Sequence, residues 1–419
     1  MEKIQSVRGM NDLLPDQMAL WHRVESVLRD TAEKYGYREI RTPMLEKTAL
    51  FTQSIGDQTD IVEKEMYTFV DAGEESLSLR PESTASTVRA CIQHGLLHNR
   101  QLRLWYMGPM FRRERPQRGR YRQFNQFGVE ALGWPGPDVD SEIIRIGERI
   151  WRKLSIDGIV LEINTLGSER SRAAYRQALK AFLSANRERL DEDSLRRLEK
   201  NPLRILDSKD PQTRAVLEEA PVLREFMETS ELEHFEAVCR ALEQGDIRYR
   251  VNDRLVRGLD YYTGTVFEWT TDRLGAQSAV CAGGRYDTLI ENRGGRPAPA
   301  IGFAMGMERL VELVMLQSNG IEGDPVHAYM IDMTDSPDLS VVISEKLRDR
   351  GFNVVEHCGG GKLGNRLKRA DQSGAVLALI RGQEESESGV IQLKHLRKSI
   401  PQANVPLDEV VDRCVEYLA

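Results

Sequence analysis

The sequence predicts an α+β fold: a mainly antiparallel sheet flanked by helices, interrupted by a helical insertion and followed by a compact mixed α/β domain. Three observations predict it. From Tyr37 to Leu166, short strand-like runs follow one another between turns, without the regular helical crossovers of a doubly wound parallel sheet. Between about 169 and 250 the texture changes to charged helical segments broken by Pro202, Pro211 and Pro221. After the Gly/Asp/Pro-containing connector Asn319–Pro325, strands and helices alternate to the end. A chain of 419 residues is also too long for one ordinary core, so two or three domains are expected.

In order, Leu20, Val24, Val27, Leu28 and Ala32 recur at helical spacing over 17–35, and Gly36 stops that helix. Strands are expected at Tyr37–Arg41, Met66–Val70 and Leu77–Arg80. A helix should then run from Pro81–Thr84 to about Leu97, because proline is tolerated in a first helical turn. Glu82 lies at that corner, close to unpaired helix donors. Gln101–Gly108 and Tyr121–Leu132 read as adjacent antiparallel strands, joined by a loop containing Pro116 and Gly119. A further strand fits Val160–Leu166. Helical segments follow at Ser171–Phe182, Asp193–Glu199, Gln212–Glu219 and Glu231–Glu243, and surface insertions of this kind are thermodynamically cheap. Strand character resumes at Val256 and at Thr265–Thr270. The first domain closes with strand Ile301–Ala304 and helix Met305–Leu316. In the last domain strands are expected at His327–Met333, Phe352–His357, Ala375–Ile380 and Gly389–Leu393. Its helices are expected at Leu339–Arg350, Lys362–Asp371 and Leu407–Leu418.

Composition narrows the function classes. Forty per cent apolar and 29% charged residues describe a globular chain, and a net charge of -7 argues against a general nucleic-acid coat. Any RNA contact needs a local positive face. Cys91, Cys239, Cys281, Cys358 and Cys414 are dispersed without ligand spacing, and read as buried thiols in a reducing compartment. The first residues lack a secretory apolar run and no stretch is long enough to span a membrane, so a cytoplasmic location and no membrane partner are expected.

The chemistry concentrates in four segments. Residues 112–122 hold Arg112, Arg113, Arg115, Arg118, Arg120 and Arg122 against one acid, Glu114. Arginine without lysine suggests planar recognition of oxygens, although a solvated basic loop gives the same composition. Arg122, Phe124, Gln126 and Glu130 share one face of the following strand by period 2. In RLVRGLDYYTGTVFEW, 254–269, Gly258 and Gly264 bracket Asp260, Tyr261 and Tyr262; a packed structural hairpin is the plain alternative. CAGGRYD, 281–287, permits close backbone approach but is no P-loop. GFAMGMERL, 302–310, puts Arg309 on an otherwise apolar helix. His94 and His98 are spaced i,i+4 on an expected helix, but lack a third ligand, so no protein metal site is expected. Gly359–Gly361, with Lys362, Arg366, Lys368 and Arg369, fits either an anion-binding helix start or a solvated face.

Together with RGMNDLLP at 8–15, these segments resemble the histidyl-tRNA synthetase family of class II aminoacyl-tRNA synthetases across essentially the whole chain. RGLDYY and AGGRYD are its histidine-specific marks. The resemblance implies a class II catalytic domain over 1–168 and 251–320, a helical insertion at 169–250 that clasps the acceptor arm, and an anticodon-binding domain at 326–419. It implies a homodimer, with motif 1 around 24–45 at the subunit interface. L-Histidine, ATP and histidine tRNA would be the substrates, with Mg²⁺ carried by ATP. By the same resemblance Arg112 and Arg257 hold the α-phosphate, and Arg120 and Arg309 contact the outer phosphates or the adenine end. Glu82, Thr84 and Gln126 satisfy the α-amino group, Glu130 and Tyr262 address the imidazole nitrogens, and Tyr286 closes the pocket.

Two positions depart from the family pattern. Ser83 stands for glycine in Arg80–Ala85, and Asn125 replaces an aromatic before Gln126. Serine suits a helix start, and period 2 turns Asn125 away from the Gln126 face. The alternative of a different class is a non-catalytic regulatory relative in histidine biosynthesis. Such relatives generally lack the last domain and the ATP-site arginines, and this chain has both.

Overall fold

The computed structural model describes residues 3–56, 59–117, 119–275, 279–317 and 325–418. The chain divides into two compact units, Met1–Gly320 and Ile321–Ala419. The connector expected at Asn319–Pro325 lies, apart from Pro325, outside the described residues, as does Arg118.

The first unit opens with α1 (Pro15–Lys34), which buries Leu20, Trp21, Val24, Leu28 and Ala32 and stops before Gly36 at φ +81°. The short strands β1 (Arg38–Glu39) and β2 (Leu45–Lys47) follow, then α2 (Thr48–Ile55), β3 (Tyr67–Val70) and β4 (Ser76–Leu79). Next come α3 (Thr84–Gln93), the long hairpin β5 (Leu102–Phe111) and β6 (Gln123–Leu132), α4 (Pro137–Lys153) and β7 (Val160–Thr165). A helical stretch then holds α5 (Glu169–Ala185), α6 (Glu192–Lys200), the 3₁₀ turn Pro202–Asp207, α7 (Pro211–Leu217) and α8 (Thr229–Gln244). The unit finishes with β8 (Tyr249–Val251), β9 (Thr263–Thr270), β10 (Ala279–Arg285), α9 (Leu289–Asn292), β11 (Ala300–Gly306) and α10 (Met307–Gln317).

Eight of these strands form one sheet in the order β1-β5-β6-β11-β10-β9-β7-β8, antiparallel except at its two edges. A separate three-stranded sheet runs β2-β4-β3. One face of the large sheet carries Trp105, Phe127, Phe267 and Phe303, whose rings meet at centroid spacings of 6.1 to 6.4 Å. These fully buried rings pack toward α1, α4 and α10 and form the apolar core on which the site rests.

Several expectations need correction. Helix α3 ends at Gln93, not near Leu97, and Gly95 takes φ +60°; His94 and His98 therefore do not share a helix. Val256 lies in a loop; the strand of that region is the earlier β8. Cys358 is exposed, although Cys91, Cys281 and Cys414 are buried as expected. The 17-residue α4 occupies a stretch where no helix is expected above. Its signals are Pro137 after Gly136, Asp138 and Asp140 in the first turn, and Ile143, Ile146 and Ile150 buried at helical spacing.

The second unit contains β12 (Ala328–Asp332), α11 (Asp338–Asp349), β13 (Val354–Glu356), α12 (Leu363–Gln372) and β14 (Leu377–Arg381). It continues with α13 (Gln383–Glu387), β15 (Val390–His395), β16 (Ala403–Pro406) and α14 (Val410–Leu418). Its sheet order is β13-β12-β14-β15-β16, parallel on one side and antiparallel on the other. Arg366 on α12 turns back to donate to the carbonyls of Gly361, at 3.0 Å, and Asp332.

Helix α4 is anchored by a buried ion pair. Asp140 accepts from Arg285 Nε at 3.0 Å and from Thr265 Oγ1 at 2.6 Å, and lies 2.9 Å from His234 Nε2 on α8. Arg285 also donates to the carbonyls of Trp134 and Gly136 at 3.2 and 2.6 Å. Removing one partner strands a buried charge. Asp140→Ala should therefore lower unfolding free energy by about 3–5 kcal/mol in denaturant titration; a change within roughly 0.5 kcal/mol, the size of a neutral surface substitution, would refute this role.

Candidate active site

The inner strands place functional side chains on the sheet face opposite the aromatic core. Gln126 and Glu130 on β6 pair with Gly108 and Leu104 on β5, and with Gly306 and Gly302 on β11. Between them Gly128 pairs with Tyr106 and Ala304. Ala282 and Gly284 on β10 continue that face toward Glu268 on β9. Large polar side chains thus stand among glycines and alanines, which leaves a trough along the sheet. A Cβ at Gly302 would overlap the Glu130 carboxylate, and one at Gly128 would overlap the Tyr106 ring. Neither constraint is visible from the isolated strands, because it depends on which glycine faces which side chain across the sheet.

A cleft of about 220 Å³ opens over this trough. Every described residue named above for ATP or histidine lines it: Glu82, Thr84, Arg112, Arg120, Gln126, Glu130, Arg257, Tyr262, Tyr286 and Arg309. The structure therefore brings together residues that are more than 220 positions apart (82 to 309) in sequence.

Glu82 caps the start of α3, accepting from the backbone N–H groups of Thr84 at 2.7 Å and Ala85 at 3.0 Å. Ser83 occupies the N-cap position. The Thr84 hydroxyl donates to Glu130 Oε1 at 2.7 Å, and the Tyr286 hydroxyl donates to Glu130 Oε2. Tyr286 is thus a direct partner of the acid as well as a pocket wall. Burial pushes Glu130 up to about 8, against the opposing effect of these hydrogen bonds. Gln126 Oε1 is buried with no hydrogen-bond partner among the described residues, so it has acceptor capacity for a ligand donor.

The guanidinium groups are held separately. Arg112 donates to the Pro81 carbonyl at 2.9 Å and lies over Phe124, 5.3 Å from the ring centre. Arg257 donates to Glu268 at 3.0 Å and sits 5.9 Å from the Tyr262 ring centre. Tyr262 in turn stacks with Tyr261, which meets Tyr286 edge-on at 5.6 Å. Arg120 is paired with Glu114. Burial first, and then the charge of Arg120, lower Arg309, so the two guanidinium groups lie close enough to repel each other.

The other arginines of the loop divide. Arg113 and Arg115 are exposed, while Arg122 donates to the Glu114 carbonyl at 3.1 Å and shapes the loop. The RGMNDLLP segment supports it: the Gly9 carbonyl accepts from the Arg122 backbone N–H at 2.7 Å. Gly9 has φ +84°, and a Cβ there would press Pro116 at 2.8 Å. Asn125 faces the other way, as period 2 predicts, and donates through its backbone and side chain to Glu308 at 2.8 and 3.2 Å. Glu308, which lines the cleft and which burial pushes up to about 7, and the buried Tyr106, on the same sheet face against Gly128, are groups that sequence reasoning missed. The alternation in β5 marks Tyr106 as sharing the Gly108 face, which was the available signal.

An antiparallel-rich sheet carrying a polar cleft lined by arginines is the arrangement that the resemblance to class II aminoacyl-tRNA synthetases implies. Residues 9–310 match the histidyl-tRNA synthetase family model, and residues 328–417 match the anticodon binding domain. A histidine–tRNA ligase from Halorhodospira halophila (strain DSM 244 / SL1) is 53% identical over 410 residues, covering 97% of each chain. The apo histidyl-tRNA synthetase of S. aureus aligns with TM-score 0.82 at 33% identity, covering 98% of this chain and 99% of that one. A Bacillus halodurans protein described as an ATP phosphoribosyltransferase regulatory subunit/histidyl-tRNA synthetase shares the fold, with TM-score 0.67 at 23% identity, covering 91% of this chain and 100% of that one. This chain belongs to the histidyl-tRNA synthetase family.

The raised Glu130 makes a pH prediction. Its protonated form is favoured by folding, so that contribution is full below its ordinary 4.5 and is lost as pH rises through about 8. Between pH 5 and 8, wild type should lose melting temperature relative to Glu130→Gln, which lacks this titration. Parallel melting curves for the two across that range would contradict it. Gly302→Ala should displace the same carboxyl group and raise the KM for histidine on the order of tenfold, the equivalent of one disturbed buried hydrogen bond; an unchanged KM would show that the trough tolerates the methyl group.

Proposed function

We propose that this chain attaches L-histidine to histidine tRNA in two steps, using ATP as a substrate. The observation that carries the reading is the one cleft in which the buried Glu130, held by Thr84 and Tyr286, stands among Arg112, Arg257 and Arg309. In the first step a carboxylate oxygen of histidine attacks the α-phosphorus, the bond to the β-phosphate oxygen breaks, and diphosphate leaves. Arg112 and Arg257 hold the α-phosphate, where preoriented cations stabilise charge that grows in the transition state. Arg120 and Arg309 take the outer phosphates or the adenine end. In the second step a terminal ribose hydroxyl of tRNA attacks the adenylate carbonyl and AMP leaves, with its phosphate available to accept the hydroxyl proton.

Glu82, Thr84 and Gln126 receive the α-amino group, while Glu130 and Tyr262 address the two imidazole nitrogens and Tyr286 fixes Glu130. The buried Gln126 oxygen supports the α-amino assignment, and the buried acid supports the imidazole one, because an apolar side chain would give that acid no ligand donor. Such a pocket discriminates by roughly 10⁴-fold. Mg²⁺ belongs to the MgATP substrate, held by the β- and γ-phosphates and water. The donor set fits an ion carried that way: the cleft carboxylates Glu114 and Glu308 are already engaged by Arg120 and Asn125. When bound, the ion would neutralise charge on the departing diphosphate.

The proposed division is a catalytic domain at 1–168 and 251–320, an acceptor-arm insertion at 169–250 and an anticodon-binding domain at 326–419. A homodimer is supported by exposed Met44, Leu45, Phe69 and Val70 on and beside the three-stranded sheet. Among the described residues no helix is long and apolar enough to cross a membrane, and the chain is proposed to work in the cytoplasm. A regulatory role is less supported, given the 53% identity to a ligase over nearly the whole chain.

Purified protein should exchange labelled diphosphate into ATP with histidine and with no other amino acid, and should charge histidine tRNA. Exchange with threonine, proline or glycine in place of histidine would overturn the substrate assignment; tRNA binding without any exchange would overturn the enzymatic one. Arg257→Ala should reduce exchange about 100-fold or more while tRNA binding is retained; equal exchange rates would remove Arg257 from the mechanism.

A further inference from the structure

The loop that carries Arg257 and Tyr262 lies between two cavities. One is the cleft described above; the other, about 240 Å³, lies behind the loop against α5 and the Pro202–Asp207 turn, and Arg257, Leu259 and Tyr262 line both. With a cavity on each side, side-chain packing alone leaves the loop weakly constrained, and its backbone needs other anchors.

Two arginines from the helical stretch supply them. Arg172 on α5 donates through Nη1 to the Tyr262 carbonyl at 2.5 Å, and is itself fixed by Glu169 at 2.7 Å. Arg204, in the Pro202–Asp207 turn, donates through Nη2 to the Gly258 carbonyl at 3.0 Å and to Asp260 Oδ1 at 3.1 Å. Their side chains are only 11% and 15% exposed, so these are largely desolvated, charge-assisted contacts. The first grips the backbone at the residue assigned to the imidazole. The second grips it one residue beyond the arginine assigned to the α-phosphate.

We propose that Arg172 and Arg204 are positioning residues for adenylation, so that the helical insertion holds the catalytic loop of the domain it interrupts. Neither guanidinium touches the reacting atoms. Each fixes one end of a six-residue segment, 257–262, whose side chains do. The two ends serve different substrates, and the variants should separate accordingly. Losing Arg172 frees the Tyr262 end and weakens histidine binding. Losing Arg204 frees the Arg257 end and slows the chemical step. The inference rests on the assignment of Arg257 and Tyr262 under the proposed function; wild-type exchange with histidine tests the activity, and exchange by Arg257→Ala with Arg172 and Arg204 intact tests the Arg257 assignment independently.

The experiment is histidine-dependent ATP–diphosphate exchange by wild type, Arg172→Ala, Arg204→Ala, Arg172→Lys and Arg204→Lys, alone and in an Arg257→Ala background, with melting temperatures alongside. Arg172→Ala should raise the KM for histidine on the order of tenfold with kcat little changed. Arg204→Ala should lower kcat on the order of tenfold with that KM little changed. Lysine at 204 should recover more of the loss than lysine at 172, because one Arg204 nitrogen serves both oxygens, whereas Arg172 uses two nitrogens for Tyr262 and Glu169. In the Arg257→Ala background, Arg204→Ala should cost little more, because its effect passes through a side chain already removed. Wild-type exchange together with unchanged KM and kcat in both alanine variants would overturn the proposal, as would equal losses of KM and kcat function that track a fall in melting temperature. A full multiplicative loss from Arg204→Ala in the Arg257→Ala background would overturn it for Arg204. If an alanine variant does not fold, the lysine variant decides by the same KM-against-kcat split.

Discussion

The site depends on keeping one carboxylate out of water. Glu130 rises from the middle of an eight-stranded sheet into a space that its strand neighbours leave open, and it is 1% exposed. Burial of a carboxyl group without partners is costly. Thr84 reaches it from the start of α3 and Tyr286 from the end of β10, so two elements distant in sequence are held to the same oxygen pair. Satisfying that acid therefore also fixes where α3 begins and β10 ends, and with them the position of Glu82 and of the tyrosine cluster. The polar pocket and its scaffold are one structural solution.

Charge is handled differently a few residues away. Arg257 is balanced by Glu268 and Arg120 by Glu114, and Arg309 lies close enough to Arg120 to feel its charge. These held guanidinium groups fix the electrostatic field of the cleft in advance of any ligand. The buried Asp140–Arg285 pair stands apart from this chemistry: it ties the AGGRYD strand to α4 and, through His234, to α8.

Much of this was legible in the sequence because the informative signals were local. Period 2 put Gln126 and Glu130 on one strand face and turned Asn125 away, and both arrangements hold in the sheet register. Proline and glycine marked the β5–β6 hairpin and the starts and stops of several helices. The site residues themselves converge in one cleft, but their grouping came from the family resemblance, since no local rule links Thr84 to Tyr286. What could not be read was pairing across the sheet: that Gly302 lies opposite Glu130, or that Gly128 makes room for Tyr106. Helix α4 carries local signals of its own, an apolar stripe and an acidic first turn after Gly136–Pro137, so it was legible in principle. The grip of Arg172 and Arg204 on the 257–262 backbone was invisible too, because a carbonyl acceptor leaves no trace in the identity of its residue.

The bare glycine face carries an evolutionary consequence. Amino-acid specificity in a pocket is usually expected to drift by small steps in wall volume. At position 302 the first available step, a single methyl group, meets the Glu130 carboxylate, and at 128 it meets the Tyr106 ring. Any codon change away from glycine at either position adds at least that much. Gradual remodelling of the trough from this wall is therefore closed, and a change of its shape would have to alter the acid or the tyrosine together with its facing glycine. Paths that need two simultaneous replacements are rarely travelled, so these facing pairs preserve the trough by geometry.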